Sequence, residues 1–231
     1  MERIPEPELM EKKEQVISYD NADFSEGEVN LINQINHYLS RSNISLNEKD
    51  LIVDLGCGPG NISEKLAIKW PNTEVVGIDG SKEMILRAEY KKEISMNQRN
   101  LRNLRYIHSD IKDKQLTNFF LDKEISLLVS NSLIHHITYL EDFFNTIRSL
   151  SSDTTINFHK DLKRPFNENS ALELKAQCST KYNETLTNDY YASLKASYSF
   201  KELKNYILEN HLSSLEVFED GENYLIVYVN V

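Results

Sequence analysis

Cysteine is scarce in this 231-residue chain, which has only Cys57 and Cys178. Two thiols cannot build a disulfide scaffold, and these two have no metal-ligand spacing. They fit a reducing compartment. Positive charge is also in deficit, with 26 Lys and Arg against 36 Asp and Glu and a formal net charge of −10. A surface of that sign repels phosphate backbones and anionic lipid, so neither nucleic acid nor a membrane is expected as a partner. The one basic run (Lys91, Lys92, Arg99, Arg102, Arg105) is broken by Glu93 and polar residues and reads as a solvated helix face and loop. Long apolar runs are missing too. Met1 to Glu14 is charged, and nothing after it has the length of a signal peptide or membrane span, so the cytoplasm is the expected location. Internal repeats and low-complexity tracts are absent. What is present, 40% hydrophobic and 27% charged residues, suits one globular domain with an elaboration.

The apolar residues are ordered in alternating patterns. Leu31, Ile32, Ile35, Tyr38 and Leu39 recur at helical spacing, so residues 1–45 are expected to form a helical lid. Residues 46–231 carry the main domain. Its first strand, Leu51 to Leu55, ends in glycines, and a helix with Ile62, Leu66, Ala67 and Trp70 follows. Glu74 to Asp79 is a second strand, and Ser81 stands where it would cap the next helix. Leu104 to His108, Ile125 to Ser130 and Thr154 to Phe158 continue the strands, with a helix carrying Phe143, Phe144 and Ile147 before the last of them. Such alternation predicts βαβ units and a doubly wound α/β fold, with a mostly parallel sheet covered by helices on both faces. At about 160–198 the rhythm breaks, and a second, partly helical lid is expected there. Ser199 to Glu202 is a capping-box pattern. Leu215 to Phe218 and Tyr224 to Val229, around Asp220-Gly221, read as a closing antiparallel hairpin.

The most informative stretch is Val53-Asp54-Leu55-Gly56-Cys57-Gly58-Pro59-Gly60. A strand running into three glycines and then a helix lets a ligand approach the backbone at the carboxyl edge of the sheet. A dinucleotide would want a third glycine where Asn61 stands, and its pyrophosphate would be repelled by Asp54. S-adenosylmethionine has no phosphate and carries a sulfonium and an ammonium, which a carboxylate attracts. Asp79 ends the second strand at the ribose-binding position. Asp110, followed by Ile111, closes the third, where it would accept from an adenine amino group. Three successive strands thus each end in an aspartate.

Together, residues 51–159 resemble the class I S-adenosylmethionine-dependent methyltransferases, and the closing hairpin extends the likeness. The resemblance implies a seven-stranded sheet whose last strand is antiparallel. It implies that the loop of Gly56, Gly58 and Gly60, with Asp54, holds the methionine part of the cofactor. Asp79, with Gly80 and Ser81 behind it, would take the ribose, Met84 would pack near the adenine, and Asp110 and Ile111 would bind the base. Ser130 and Asn131 would face the methionine end.

The sulfonium already activates the methyl group, so the protein has to align the nucleophile and exclude water. The stretch Asn131-Ser-Leu-Ile-His135-His136 follows the fourth strand beside the expected methyl. His135 and His136 are therefore candidates to take a proton, although one can equally cap a helix and the other pack. Adjacent histidines without a carboxylate cluster are poor metal ligands, so no metal is expected. Tyr19 and Phe24 are candidate lid residues. Arg164 suits an acceptor carboxylate or phosphate, or a structural ion pair. Tyr190 and Tyr191 are candidate pocket walls. Methyl transfer to a small molecule is the reading these features favour. A non-catalytic module of the same fold, a protein methyltransferase and a nicotinamide-dependent oxidoreductase are the alternatives, and Asp54 and the glycine spacing disfavour the last. Oligomeric state is not legible in the sequence.

Overall fold

Every residue from Leu51 to Leu55 is buried, as expected for a strand covered on both faces. In the computed structural model, which describes residues 1–6, 10–99 and 101–229 and all their side chains but 96–99, this strand (β1) sits inside one sheet with neighbours on both sides. The other strands are β2 (Glu74–Asp79), β3 (Leu104–His108), β4 (Leu127–Asn131), β5 (Ile156–Leu162), β6 (Leu215–Asp220) and β7 (Tyr224–Val229). Their order is β3-β2-β1-β4-β5-β7-β6. The first five run parallel, while β7 is antiparallel to both β5 and β6. Chain order reverses between β1 and β4, the point at which open α/β sheets leave a crevice.

The helices named here are α1 (Lys13–Asp20), α2 (Ser25–Arg41), α3 (Asn61–Lys69), α4 (Lys82–Arg99), α5 (Leu140–Leu150), α6 (Glu168–Ser179), α7 (Glu184–Ala196) and α8 (Phe200–Glu209). Leu51, Val53 and Leu55 pack with Phe143, Ile147, Leu203 and Ile207 of α5 and α8 on one face. Ile52 and Val75 pack with α2 and α3 on the other. The amphipathic stripe expected in residues 1–45 is therefore core: Leu31, Ile32, Ile35 and Leu39 are buried against the sheet. The residues before α2 and its first turns, with Ser25, Glu26, Glu28 and Asn30, stand over the crevice. Ser199 forms its capping box with Glu202 at the start of α8.

The fifth strand departs from expectation. It extends to Leu162, so His159, Lys160 and Asp161 lie inside the sheet, buried, rather than in an exit loop. Each has a partner that makes burial tolerable, as described below. The segment at 160–198 becomes the helix pair α6 and α7 after β5 ends. The basic run is largely neutralised: Lys91 pairs with Asp20, Lys92 with Glu89 and Arg105 with Glu74. The Arg99 side chain lies outside the described residues. Among the described residues no helix is long and apolar enough to cross a membrane.

Candidate active site

A cavity of about 1400 Å³ opens at the carboxyl edge of the sheet. Its floor is the glycine loop. Gly60 caps α3 with φ of 85°, in the left-handed region that favours glycine. Gly58 also has positive φ, and a Cβ there would meet nothing within 4 Å, so the loop is open to a ligand. Asp54 lines the cavity while only 1% exposed, and Ser63 donates to its Oδ2 at 2.6 Å. Burial, with the Asp79 charge nearby, pushes the Asp54 carboxyl up to about 7. Asp79 accepts from the Gly58 and Ser81 amides at 2.8 and 2.7 Å, yet burial still raises its pKa. Both shifts run upward because the charge a buried carboxylate would bear lacks a counter-charge.

The expected cofactor residues mostly converge here. Asp54, Gly56, Gly58, Asp79, Gly80, Ser81, Met84, Asp110, Ile111 and Asn131 line the cavity. Asp110 sits two residues beyond β3, exposed, with the Lys112 amide on its Oδ1. Two residues do not reach the wall. Gly60 serves as the helix cap behind the loop. Ser130 is turned into the interior, its Oγ 2.9 Å from His159 Nδ1. His159 is fully buried, and burial lowers its pKa to about 3, so it stays neutral. The strand alternation that places Asn131 toward the cavity turns Ser130 away from it.

The histidine pair lies at the far side of the cavity, on a 3₁₀ turn (Ile134–His136) after β4. Asp161, from the overlooked end of β5, lies 2.5 Å from His135 Nδ1 and also accepts from the Ile134 and Leu162 amides. That arrangement fixes the tautomer with a proton on Nδ1 and leaves the Nε2 lone pair available. Burial alone would lower the His135 pKa. The Asp161 charge and hydrogen bond, with Glu6, overcome it and raise the value above the ordinary.

Glu6 was not foreseen. The first six residues run over the 3₁₀ turn, pinned by Arg3, which donates to the carbonyls of His135, Ile137, Thr138 and Ala196 and stacks 3.9 Å from the Tyr198 ring centre. This brings Glu6 Oε1 to 3.4 Å from His136 Nδ1 and 3.6 Å from His135 Nε2. The donor atoms of the three residues lie within 4.8 Å of one another, so a carboxylate does accompany the pair, contrary to the sequence reading. No spacing signal links residue 6 to residue 136, and only folding joins them.

Of the lid candidates, Tyr19, Phe24 and Tyr190 line the cavity. Tyr191 does not: its hydroxyl bonds Glu168 and its ring takes Lys175 and Lys195. Arg164 is likewise outside the wall. It pairs with Glu202 at 2.7 Å and donates to the Ser197 carbonyl, the structural role a buried guanidinium more often has. Lys160 is a wall residue that sequence reasoning passed over, held by Asp220 at 2.6 Å and Gln34 at 3.1 Å.

The strand order, the antiparallel last strand and the acid-lined glycine loop define the class I methyltransferase fold. The chain belongs to the methyltransferase domain family, whose model matches residues 46–202. It is similar over shorter stretches to curated trans-aconitate 2-methyltransferases. That of Streptomyces coelicolor is 33% identical over 94 residues, covering 40% of this chain and 28% of that protein. That of Azoarcus sp. is 47% identical over 45 residues, covering 20% and 18%. The chain thus matches less than a third of the length of these relatives. Among solved structures, the plantazolicin methyltransferase BpumL with a pentazolic desmethylPZN analog and SAH superposes with a TM-score of 0.69 at 15% identity, covering 94% of this chain and 89% of that one. A SAM dependent methyltransferase from Aquifex aeolicus gives 0.63 at 16%, covering 94% and 97%.

Proposed function

We propose that this chain transfers the methyl group of S-adenosylmethionine to a small-molecule acceptor bound in the same cavity. One observation carries the reading. Two carboxyls, the buried Asp54 and the half-buried Asp79, stand beside an open glycine loop with their pKa values raised, so the site is short of positive charge. The cofactor's ammonium and sulfonium supply that charge, and its ribose offers hydroxyls to Asp79. When bound, the cofactor supplies an electrophilic methyl group.

The chain's own residues do the rest. Asp54 and the loop fix the methionine end, and Met84 and Ile111 wall the base. The α6–α7 pair, with Tyr19 and Phe24, screens the acceptor from water. His135, held by Asp161, presents Nε2 toward the far side of the cavity to take a proton from the acceptor, with His136 beside it. The cavity exceeds the roughly 300–1,000 Å³ of a single-ligand pocket, which leaves room for two molecules. The relatives' name specifies a carboxylic acid acceptor. The matched stretches cover a minor part of those proteins, and the wall here contains no arginine among the described residues to hold such an acid.

Calorimetry with S-adenosylmethionine, S-adenosylhomocysteine and NADH tests the cofactor. Binding of the first two without the third is expected, and the converse overturns the reading. Formation of S-adenosylhomocysteine with a panel of small molecules then tests turnover.

A further inference from the structure

The cavity wall is richer in acidic than in basic side chains. The wall carries eight Asp and Glu residues against three lysines and no arginine among the described residues. Asp54, Asp79 and Asp110 are accounted for by the cofactor, and Asp220 by Lys160. Asp189, on α7, is not. Its Oδ1 accepts from Gln15 Nε2 at 3.1 Å, whereas its Oδ2 is buried and has no hydrogen-bond partner. A buried carboxylate oxygen without a donor is costly, and Asp189 also lines the cavity, so its carboxylate marks a place for a further binding partner.

The neighbours of Asp189 say what that is. Ser193 is one helical turn on, on the same face, and donates to Glu6 Oε1 at 3.0 Å. Glu6 in turn stands beside the histidine pair. Two carboxylates thus lead from the α7 wall to the proposed proton acceptor. Aromatic rings line the same cavity: Tyr19 and Phe24 have centroids 4.9 Å apart, and Phe24 and Tyr182 5.5 Å. Tyr190 lines the same space. A carboxylate and aromatic rings on one cavity wall form the environment that recognises ammonium groups.

We infer that the acceptor is an amine, bound as its cation with the Asp189 carboxylate as the anchor and the ring cluster of Tyr19, Phe24 and Tyr182 around its carbon skeleton. This rests on the methyl-transfer reading above and names its substrate class. In the step, an ammonium proton passes to His135 Nε2. The freed nitrogen lone pair forms the N–C bond as the C–S bond breaks, with its electron pair remaining on sulfur. The product leaves as the methylated ammonium, and the proton on His135 returns to solvent. Asp189 and Glu6 stabilise the nitrogen as it regains positive charge in the transition state.

The test uses the full chain saturated with S-adenosylhomocysteine, so that cofactor binding is established first. Tyramine and phenethylamine are titrated against the neutral 2-phenylethanol and the anionic 3-phenylpropionate. The amines are expected to bind at least tenfold more tightly than either. Asp189→Asn is expected to erase that preference while leaving S-adenosylhomocysteine affinity and the melting temperature unchanged. Tighter binding of the acid or alcohol, no binding of either amine, or an unchanged preference in Asp189→Asn overturns the inference. So does stoichiometric zinc binding lost in Glu6→Gln, which would assign the cation to a metal. Failure of S-adenosylhomocysteine to bind would instead strike the methyl-transfer reading.

Discussion

Asp54→Asn separates stability from function at a single oxygen. The side chain is 1% exposed, and burial pushes its carboxyl to about 7 from an ordinary 3.8. A raised carboxyl pKa means the folded chain holds the proton more tightly than the unfolded one. Stability is therefore fullest at low pH, falls as pH rises from about 4 through about 7, and is level above. The shift corresponds to roughly 4 kcal/mol of destabilisation at pH 8 and roughly 1.5 kcal/mol at pH 5, since each pKa unit is about 1.4 kcal/mol. Asparagine carries no charge and still accepts from Ser63. The variant without ligand is expected to be more stable than the parent in urea titrations, with a larger gain at pH 8 than at pH 5.

Cofactor binding should move the other way. The ammonium and sulfonium favour the ionised carboxylate, so binding to the parent must release the Asp54 proton below about pH 7. Affinity should weaken by nearly tenfold for each pH unit below that point and be level above it. Losing the charge-assisted contact costs about 1.5–3 kcal/mol, or roughly 10- to 100-fold in affinity. Calorimetry from pH 5.5 to 8.5 measures both effects. A flat affinity profile in the parent, or an Asp54→Asn variant that binds S-adenosylmethionine as tightly as the parent, refutes the reasoning.

Asp79→Ala should weaken S-adenosylmethionine binding at least tenfold through loss of the ribose contacts, and unchanged affinity in calorimetry would remove that assignment. Asp161→Asn should lower turnover by roughly 10²- to 10⁴-fold, because Nδ1 of His135 loses the carboxylate that fixes its tautomer. Cofactor affinity in that variant should stay the same, and an intact rate of S-adenosylhomocysteine formation would show that His135 takes no proton. Gly60→Ala should destabilise the chain by about 2–4 kcal/mol in urea, because the backbone has φ of 85° and a Cβ would run into the Tyr106 ring, with Cζ at 2.8 Å. A loss under 1 kcal/mol would mean the loop yields at no cost.

The fold and the floor of the cavity were legible in the sequence because both are local. Asp54, Gly56, Gly58, Asp79 and Asp110 each sit at the end of a recognisable apolar run, and parallel strands bring those ends to one edge of the sheet. Ser130 shows the limit of that logic. It was placed by proximity to the strand end, but a strand alternates its side chains, and one position decides between cavity and core. His159-Lys160-Asp161 failed for a different reason. Polar residues in sequence read as a loop, and only their partners, Ser130, Asp220 and His135, allow them to be buried in a central strand.

The acceptor end was illegible because its groups share no local pattern. Glu6, Gln15, His135, Asp161 and Asp189 come from five separate segments, and no periodicity or motif relates them. The carboxyl edge of a parallel sheet gathers such residues at little cost, since loops and appended helices there carry no burden of the core. That physical difference separates what a family shares from what an individual member does. The cofactor half is fixed by strand ends that the sheet itself must keep. The acceptor half can change whenever an N-terminal segment or a helix pair presents a different charge. An aspartate at position 189 can therefore select an amine without disturbing a single strand.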